Sequence, residues 1–432
     1  MLRRRVLILC YHFPPTPSVG SVRADGLAKY LPEAGWQPTV VTPRVSGRRR
    51  DSTGVVETGD RDMAVSVKRW FGLRPDVALK DSVSGEAPPI TGRRLRSRLI
   101  EIAKSLVAYP DSNRGWIAIA HRAALRVLRE QRFDALITTS PPPSVHVAGC
   151  RVATASRLPW VADLRDLWSN DRNTQTPPWR RRLDHRLERA TLRSASVLTT
   201  VSWPFAEILR DMYPRIGVRS ILNGFDPEDV GLAKALTGNF TLTHTGRFYQ
   251  GLLDPEPLFV ALANLVGAGL LPRERIRLRF FVRHEPWVEA LARRHGVADI
   301  LELIPWGPRE VALRAQQESQ VLVLLHWGGP TEAGIYTGKV FEYLAARRPI
   351  LMIGGGPGVL HDLLAETGAG VHVTDQEALE RQLLAWWREF SEQGNVAWRG
   401  RDELIEGYSH RRMAREFAEL LDELCDRGRT AG

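Results

Sequence analysis

The sequence predicts an α/β protein built from two doubly wound parallel sheets in tandem, and three observations carry that expectation. Its 432 residues exceed what one core serves and suit two domains of roughly 200 residues each. Short apolar runs alternate with helix-length segments, which is the order of βαβ units. Val321–Leu325 is apolar at every position, as a strand covered on both faces by helices requires.

The elements follow in order. Val6–Cys10 reads as a first strand, followed by a Pro/Gly/Ser loop from Pro14 to Ser21, a helical stretch with Leu27, Tyr30 and Leu31, a turn at Gly35 and a second strand at Thr39–Thr42. From about 43 to 91 the chain is polar, rich in Arg and Gly and poorly periodic, and is expected to be a surface insertion carrying little of the core. Strands resume at Ala135–Thr139, Trp160–Leu164, Val197–Val201 and Arg219–Leu222, which closes a first domain over 1–223. A second series, at Phe240–Thr245, Arg277–Val282, Leu301–Ile304, Val321–Leu325, Pro349–Ile353 and Gly370–Val373, gives a second domain over 224–410. The last segment, 411–432, is expected to be a helix packing back toward the first domain. Ligands of doubly wound sheets bind outside the carboxyl ends of the strands.

Composition excludes several classes. Charged residues at 25% and hydrophobic residues at 43% rule out a disordered or collagen-like chain. No apolar run approaches the ~18–20 residues of a membrane span. Arg3-Arg4-Arg5 precedes too short an apolar stretch for a signal peptide, so a cytoplasmic location is expected. Cys10, Cys150 and Cys425 are far apart and lack ligand spacing, so neither a disulfide framework nor a metal site is expected.

Sixty Lys and Arg against 49 Asp and Glu leave a net charge of +11. Arg93, Arg94, Arg96 and Arg98 surround Leu95, Leu99, Ile102 and Leu106 at helical spacing. Trp179-Arg180-Arg181-Arg182 with Arg186 and Arg189 forms a second basic stretch. A basic amphipathic helix is the form that lies on anionic lipid, so peripheral contact with the inner face of a membrane is favoured over solvated basic faces or general Arg-rich usage. Nucleic acid is disfavoured, because no binding module and no interleaved aromatics appear.

Several residues carry chemistry by position. Gly20 precedes a helix N-terminus, where oxyanions are attracted, although a glycine there is often only a turn. Gly338 opens a helix that places Lys339 and Glu342 three apart on one face. A diphosphate would suit the lysine and sugar hydroxyls the glutamate, the alternative being a surface ion pair. Asp163, Arg165 and Asp166 follow a strand and are expected to project toward the ligand, where they could orient an acceptor hydroxyl or act as a base; the alternative is a salt-bridged loop anchor. His146 follows the Pro-rich loop and is weighed as catalytic or structural. His326, directly after the apolar strand, is better placed for a site. Gly354–Gly358 departs from dinucleotide spacing and reads as a loop lining the cleft.

With these residues in hand, the chain resembles the GT-B-fold retaining glycosyltransferases of the large family four. Gly338-Lys339-Val340-Phe341-Glu342-Tyr343-Leu344-Ala345 with Arg348-Pro349-Ile350 is similar to that family's donor-binding segment. Phe13-Pro14-Pro15 with Gly20 and Arg23 resembles its acceptor-side loop. Thr139–Ser144 with His146 and Val161–Trp168 resemble bacterial polysaccharide members, and Thr245-Gly246-Arg247-Phe248 resembles the first strand of the second domain. The resemblance implies that Arg247 and Lys339 take the diphosphate of a nucleotide-sugar donor and Glu342 its ribose, without metal or cofactor, with a lipid-linked or saccharide acceptor. It departs from the pattern at Gly334, where a second glutamate often stands and Glu332 is out of register, and at Phe248-Tyr249-Gln250-Gly251, where a further basic residue is common.

The resemblance thus implies sugar transfer to a hydroxyl with retention, in cell-surface polysaccharide or glycolipid synthesis. A nucleotide-sugar epimerase on the same fold is a second reading, although it needs cleft carboxylates that the second domain hardly offers. A non-catalytic scaffold is a third, motivated by Gly334 and Gln250.

Overall fold

The computed structural model describes residues 4–16, 19–47, 54–60, 109–170, 176–231, 235–283, 285–327 and 333–430. The basic segment around Arg93–Arg98, most of the expected insertion and Glu332 lie outside these residues. The chain divides into two compact units, Met1–Ile221 with Ala414–Gly432, and Leu222–Met413.

In the first unit seven strands are ordered β3-β2-β1-β4-β5-β6-β7, all parallel: β1 (Arg4–Cys10), β2 (Trp36–Pro43), β3 (Val55–Thr58), β4 (Ala135–Ser140), β5 (Trp160–Leu164), β6 (Val197–Thr200) and β7 (Gly217–Ser220). Its helices are α1 (Val19–Tyr30), α2 (Trp116–Glu130), α3 (Ser144–Ser156), α4 (Pro178–Leu192) and α5 (Trp203–Met212). Strand order reverses at β1, so the loops after β1 and β4 flank the switch point where such sheets accept ligands. Val6, Leu7, Ile8 and Leu9 are all fully buried, because helices cover both faces.

The short strand β3 falls inside the expected insertion and corrects that expectation in part. Val40 to Pro43 pair with Val55 to Thr58, and the buried Thr58 hydroxyl accepts the indole N–H of the fully buried Trp116 at 2.8 Å. Four residues with one acid and a flanking glycine are too few to show a period.

The second unit holds a six-stranded parallel sheet, β10-β9-β8-β11-β12-β13, formed by β8 (Phe240–Thr245), β9 (Ile276–Val282), β10 (Leu301–Pro305), β11 (Val321–Leu325), β12 (Ile350–Ile353) and β13 (Gly370–Val373). Helices α6 (Glu256–Gly267), α7 (Pro286–Arg294), α8 (Arg309–Glu318), α9 (Gly338–Ala346), α10 (Val359–Thr367), α11 (Gln376–Gln393) and α12 (Asp402–Ile405) accompany it. Alternation along β11 splits its side chains between two cores. Val321, Val323 and Leu325 join Phe240, Phe280 and Phe390, whereas Leu322 and Leu324 join Phe341, Leu344 and Leu363. The switch point here lies between β8 and β11.

The final helix α13 (His410–Thr430) belongs to the first unit from Ala414 onward. Asp422 accepts from Arg4 at 2.7 Å and from the Trp36 indole at 3.2 Å, and the ring of the buried Phe417 lies 5.1 Å from the Arg23 guanidinium. Among the described residues no helix is long and apolar enough to cross a membrane.

One buried ion pair ties this unit together. Thr139, Asp163 and Thr199 are register partners on β4, β5 and β6, so their side chains share one sheet face. Asp163 accepts Arg23 Nε at 2.8 Å and Arg23 Nη2 at 2.9 Å, with the hydroxyls of Thr139 and Thr199 at 2.7 and 2.8 Å. Burial pushes this carboxyl up, but the Arg23 charge and the four hydrogen bonds outweigh it and hold the pKa below the ordinary carboxylate value. Arg23 also donates to the Ile221 carbonyl at 2.9 Å. Asp163→Asn should therefore lower the unfolding free energy by about 3–5 kcal/mol, because it leaves a buried guanidinium uncompensated, and Arg23→Met with Asp163→Leu should recover part of that loss. The Asp163 contribution exists above the unfolded carboxylate pKa and is lost as pH falls below it, so denaturant titrations of wild type and Asp163→Asn should converge in acid. Equal stability of the two at neutral pH would refute the anchor.

Candidate functional site

The carboxyl edge of the second sheet collects the cationic residues. After β8 the chain turns through Gly246 into Arg247, and α9 begins at Gly338 with Lys339 in its first turn. The fully buried His244 lies between the sheet and that lysine. Its Nδ1–H donates to the Val323 carbonyl at 2.9 Å, which leaves the Nε2 lone pair facing Lys339 Nζ at 3.5 Å. Burial and the Lys339 charge hold His244 well below the usual imidazole pKa, so it is a neutral acceptor. Gly246 has φ +138°, and a Cβ there would sit 2.5 Å from Lys339 Nζ. Only glycine leaves the lysine its channel.

No carboxylate lies within ion-pair distance of Lys339 among the described residues, which removes the surface-pair alternative for Lys339 and Glu342. Burial pushes Lys339 down from 10.5 to about 8, although Glu342 acts in the opposite direction. Glu342 pairs instead with Arg309 Nε at 3.0 Å and accepts Gln316 Nε2 at 3.3 Å, while Arg309 also reaches Asp229 at 2.8 Å. Two donors leave a carboxylate with free lone pairs, so Glu342 is oriented and still able to accept hydroxyls. The adjacent Tyr343 accepts the Thr245 backbone N–H at 3.0 Å and donates to the Val323 carbonyl at 3.2 Å, which fixes α9 against β8 and β11.

Arg247 is exposed and stands 5.5 Å from the ring of Trp306, and Arg283 approaches the same ring at 5.1 Å. His326 is half-buried and takes its backbone N–H to Ile353 at 3.0 Å. Burial and the nearby His372 lower its pKa. His372 itself meets His361 at 3.0 Å and donates from Nε2 to the Gly354 carbonyl at 2.7 Å.

The first unit treats its expected residues differently. Asp163 does not project outward, since it lies within β5 and is fully buried by the partners described above. His146 is likewise fully buried in α3. Trp160 donates to Thr138 Oγ1 and that hydroxyl donates to His146 Nδ1, both at 2.8 Å, and burial holds the ring down at about 4. A catalytic role for either corrects to a structural one, because neither offers an atom that substrate can reach. Arg165 is also buried, and its Nε donates to the Ser140 carbonyl beside the switch point. Of the expected cluster only Asp166 is exposed, and Gly20 is a buried residue in the first turn of α1. His12 is a group that the motifs missed; burial and the Arg165 charge lower its pKa. His244, Trp306 and Arg309 were missed as well. Only the Thr-His-Thr-Gly run at the end of β8 hinted at the first of them. No group of three or more His, Cys, Asp or Glu that could hold a metal occurs among the described residues.

Two parallel sheets in tandem, with cations at the switch point of the second, define the GT-B class of glycosyltransferase fold. Solved structures agree over nearly the whole chain. Sucrose-phosphate synthase from Thermosynechococcus elongatus aligns at 14% identity over 98% of this chain and 99% of its own, with a TM-score of 0.61. Anabaena HepE, solved with UDP and glucose, aligns at 12% identity over 97% and 100% with a TM-score of 0.61. WaaG, a glycosyltransferase involved in lipopolysaccharide biosynthesis, gives 15% identity, 98% of both chains and a TM-score of 0.51. No curated protein sequence matches the chain. Residues 20–229 match the model of Glycosyltransferase Family 4, and the protein is a glycosyltransferase.

Lys339→Met should raise the thermal midpoint of the ligand-free protein, because it removes a half-buried, partly desolvated charge. The folded pKa of about 8 lies below the unfolded 10.5, so between these values the unfolded chain binds more protons and wild-type stability rises with pH. The gap between Lys339→Met and wild type should therefore close over that window. A destabilised Lys339→Met protein at pH 7 would contradict the desolvation of that charge.

Proposed function

We propose that the protein transfers a glycosyl group from a nucleoside-diphosphate sugar to a hydroxyl of a lipid-linked or saccharide acceptor, with the anomeric configuration retained. The observation that carries this reading is the half-buried Lys339, whose ammonium stands beside a neutral histidine with no carboxylate within ion-pair distance among the described residues. A dianionic diphosphate supplies the missing counter-charge. Arg247 contributes a second cation from the turn after β8, and Glu342, held by Arg309 and Gln316, accepts from the ribose diol.

In this reading the bond from the anomeric carbon to the diphosphate oxygen breaks and that oxygen gains charge. Lys339 and Arg247 stabilise the developing charge more than the ground state, which lowers the barrier. Retention is proposed through attack on the face from which the diphosphate leaves, with the leaving oxygen taking the acceptor proton. That route suits a site whose carboxylate Glu342 is engaged with Arg309. Asp166 and His12, at the carboxyl edge of the first sheet, are proposed to meet the acceptor, and Arg165 positions that edge. The half-buried His326 and the backbone at Gly338 are proposed to line the donor. HepE was solved with UDP, which makes uridine diphosphate the first probe.

A screen of uridine, guanosine, adenosine and thymidine diphosphates should find one that raises the thermal midpoint saturably. The stabilisation should be lost in Lys339→Ala and weakened about tenfold or more in affinity by Arg247→Ala. With the matching sugar conjugate, product NMR should show the donor's anomeric configuration. Stabilisation by none of the four, or an unchanged response in Lys339→Ala, would overturn the donor-site assignment.

A further inference from the structure

The excess positive charge is not spread through the molecule. Residues 222–413 carry 20 Lys and Arg against 24 Asp and Glu, whereas the remainder carries 40 against 25. General Arg-rich usage would make both units basic, so the surplus belongs to the first unit.

Within it, helices α2, α3 and α4 hold a concentrated share. On α4 and its C-terminal cap, Arg181, Arg182, Arg186, Arg189 and Arg193 are all exposed and recur at helical spacing. None has a carboxylate within ion-pair distance among the described residues. Both acids of α4 are turned inward and used. Asp184 pairs with Arg180 at 3.0 Å, and Glu188 accepts the Ser169 backbone N–H at 3.0 Å. The inner side of α4 is fixed further by the Tyr109 hydroxyl, which donates to the Leu183 carbonyl at 2.8 Å, and by the Arg180 guanidinium 4.7 Å from the Tyr109 ring. The outer face is therefore a rigid row of unpaired guanidiniums.

The neighbouring helices extend it. α3 packs against α4 and α2 against α3, and these two helices with their C-terminal flanks expose six more arginines, among them Arg126, Arg129 and Arg151. Glu130 is the one exposed carboxylate of the three helices. Between the C-terminal ends of α2 and α3 lies a groove of about 520 Å³, floored by Leu125, Leu128 and Leu158 and rimmed by Arg129 and Arg132. Successive crossovers in the order β4-β5-β6-β7 place α5 on the same sheet face, and its first residue, Trp203, is 63% exposed.

We infer that the outer face of α2, α3 and α4 is a docking surface for an anionic lipid bilayer. Guanidiniums spread over three helices match a plane of phosphates, and the leucine groove and Trp203 suit the interfacial layer beneath the headgroups. A single-stranded nucleic acid would call for stacking platforms, and α2 to α4 expose no aromatic side chain among the described residues. The inference rests on the transferase reading only for its purpose, since a bilayer is where a lipid-linked acceptor is met.

The test is co-sedimentation of the full chain with phosphatidylglycerol–phosphatidylcholine vesicles and with pure phosphatidylcholine vesicles. Wild type should partition onto the anionic vesicles, weaken with added salt, and ignore the neutral ones. Arg181→Gln with Arg182→Gln and Arg186→Gln should reduce the partition coefficient roughly a hundredfold, at about fivefold per basic residue. The three Lys replacements should restore it, and Arg314→Gln with Arg388→Gln, on the other unit, should leave it unchanged. Equal partition of wild type and the triple Gln variant overturns the inference, as does tighter capture of single-stranded RNA than of vesicles at the same salt. Nucleoside-diphosphate stabilisation, measured on the same samples, separates the two readings. Its loss in wild type overturns the donor site and leaves the docking surface standing, whereas loss of vesicle binding alone does the reverse.

Discussion

A half-buried lysine ammonium with no carboxylate partner among the described residues is the constraint around which residues 222–413 are arranged. Desolvating that charge is costly, and a fold that only sought stability would supply a carboxylate or drop the lysine. This one supplies a neutral imidazole, His244, locked in one tautomer by the Val323 carbonyl, and clears a channel at Gly246. Tyr343 and Thr245 then fix α9 to the sheet so that the ammonium stays where it is. Glu342, in the same turn of α9, pairs with Arg309. Each choice keeps a positive charge available at the switch point, at a cost in stability, and the proposed diphosphate would offset that cost.

The first unit shows the opposite solution with similar groups. Asp163 and Arg23 are as deeply buried as any residues in the chain, yet they neutralise each other and receive hydroxyls from both neighbouring strands. The pair also reaches the Ile221 carbonyl and lies beside Phe417, so it joins the sheet, α1 and the returning C-terminal helix. A buried charge satisfied from within holds a fold together. A buried charge without a counter-ion points to a ligand, and this contrast separates structural from functional candidates better than sequence motifs do.

Much of the architecture was legible because parallel sheets covered on both faces write themselves as continuous apolar runs. Trp160–Leu164, Phe240–Thr245, Val321–Leu325 and Gly370–Val373 stand at their expected limits. β3 was illegible, since an edge strand of four residues pairs on one side only and needs no apolar face. The residues proposed to hold the donor, Arg247, Lys339 and Glu342, stand out in the sequence because chemistry and position coincide there. His244 and Arg309 escaped because their roles depend on partners about 80 and 33 positions away, Val323 and Glu342, which a linear pattern does not connect. Asp163 and His146 misled for the converse reason: strand and helix positions next to a switch point look alike in sequence whether the side chain faces solvent or core.

If the ammonium of Lys339 is partly discharged in the free protein and fully charged against a diphosphate, binding must take up protons. Calorimetry of the nucleoside diphosphate that binds, run at pH 8 in buffers of differing ionisation enthalpy, measures that uptake directly. With a free-state value of about 8, the account predicts uptake of about half a proton at pH 8, falling toward zero near pH 6.5 and abolished in Lys339→Met. Binding at pH 8 with no proton uptake, or with release, would contradict it.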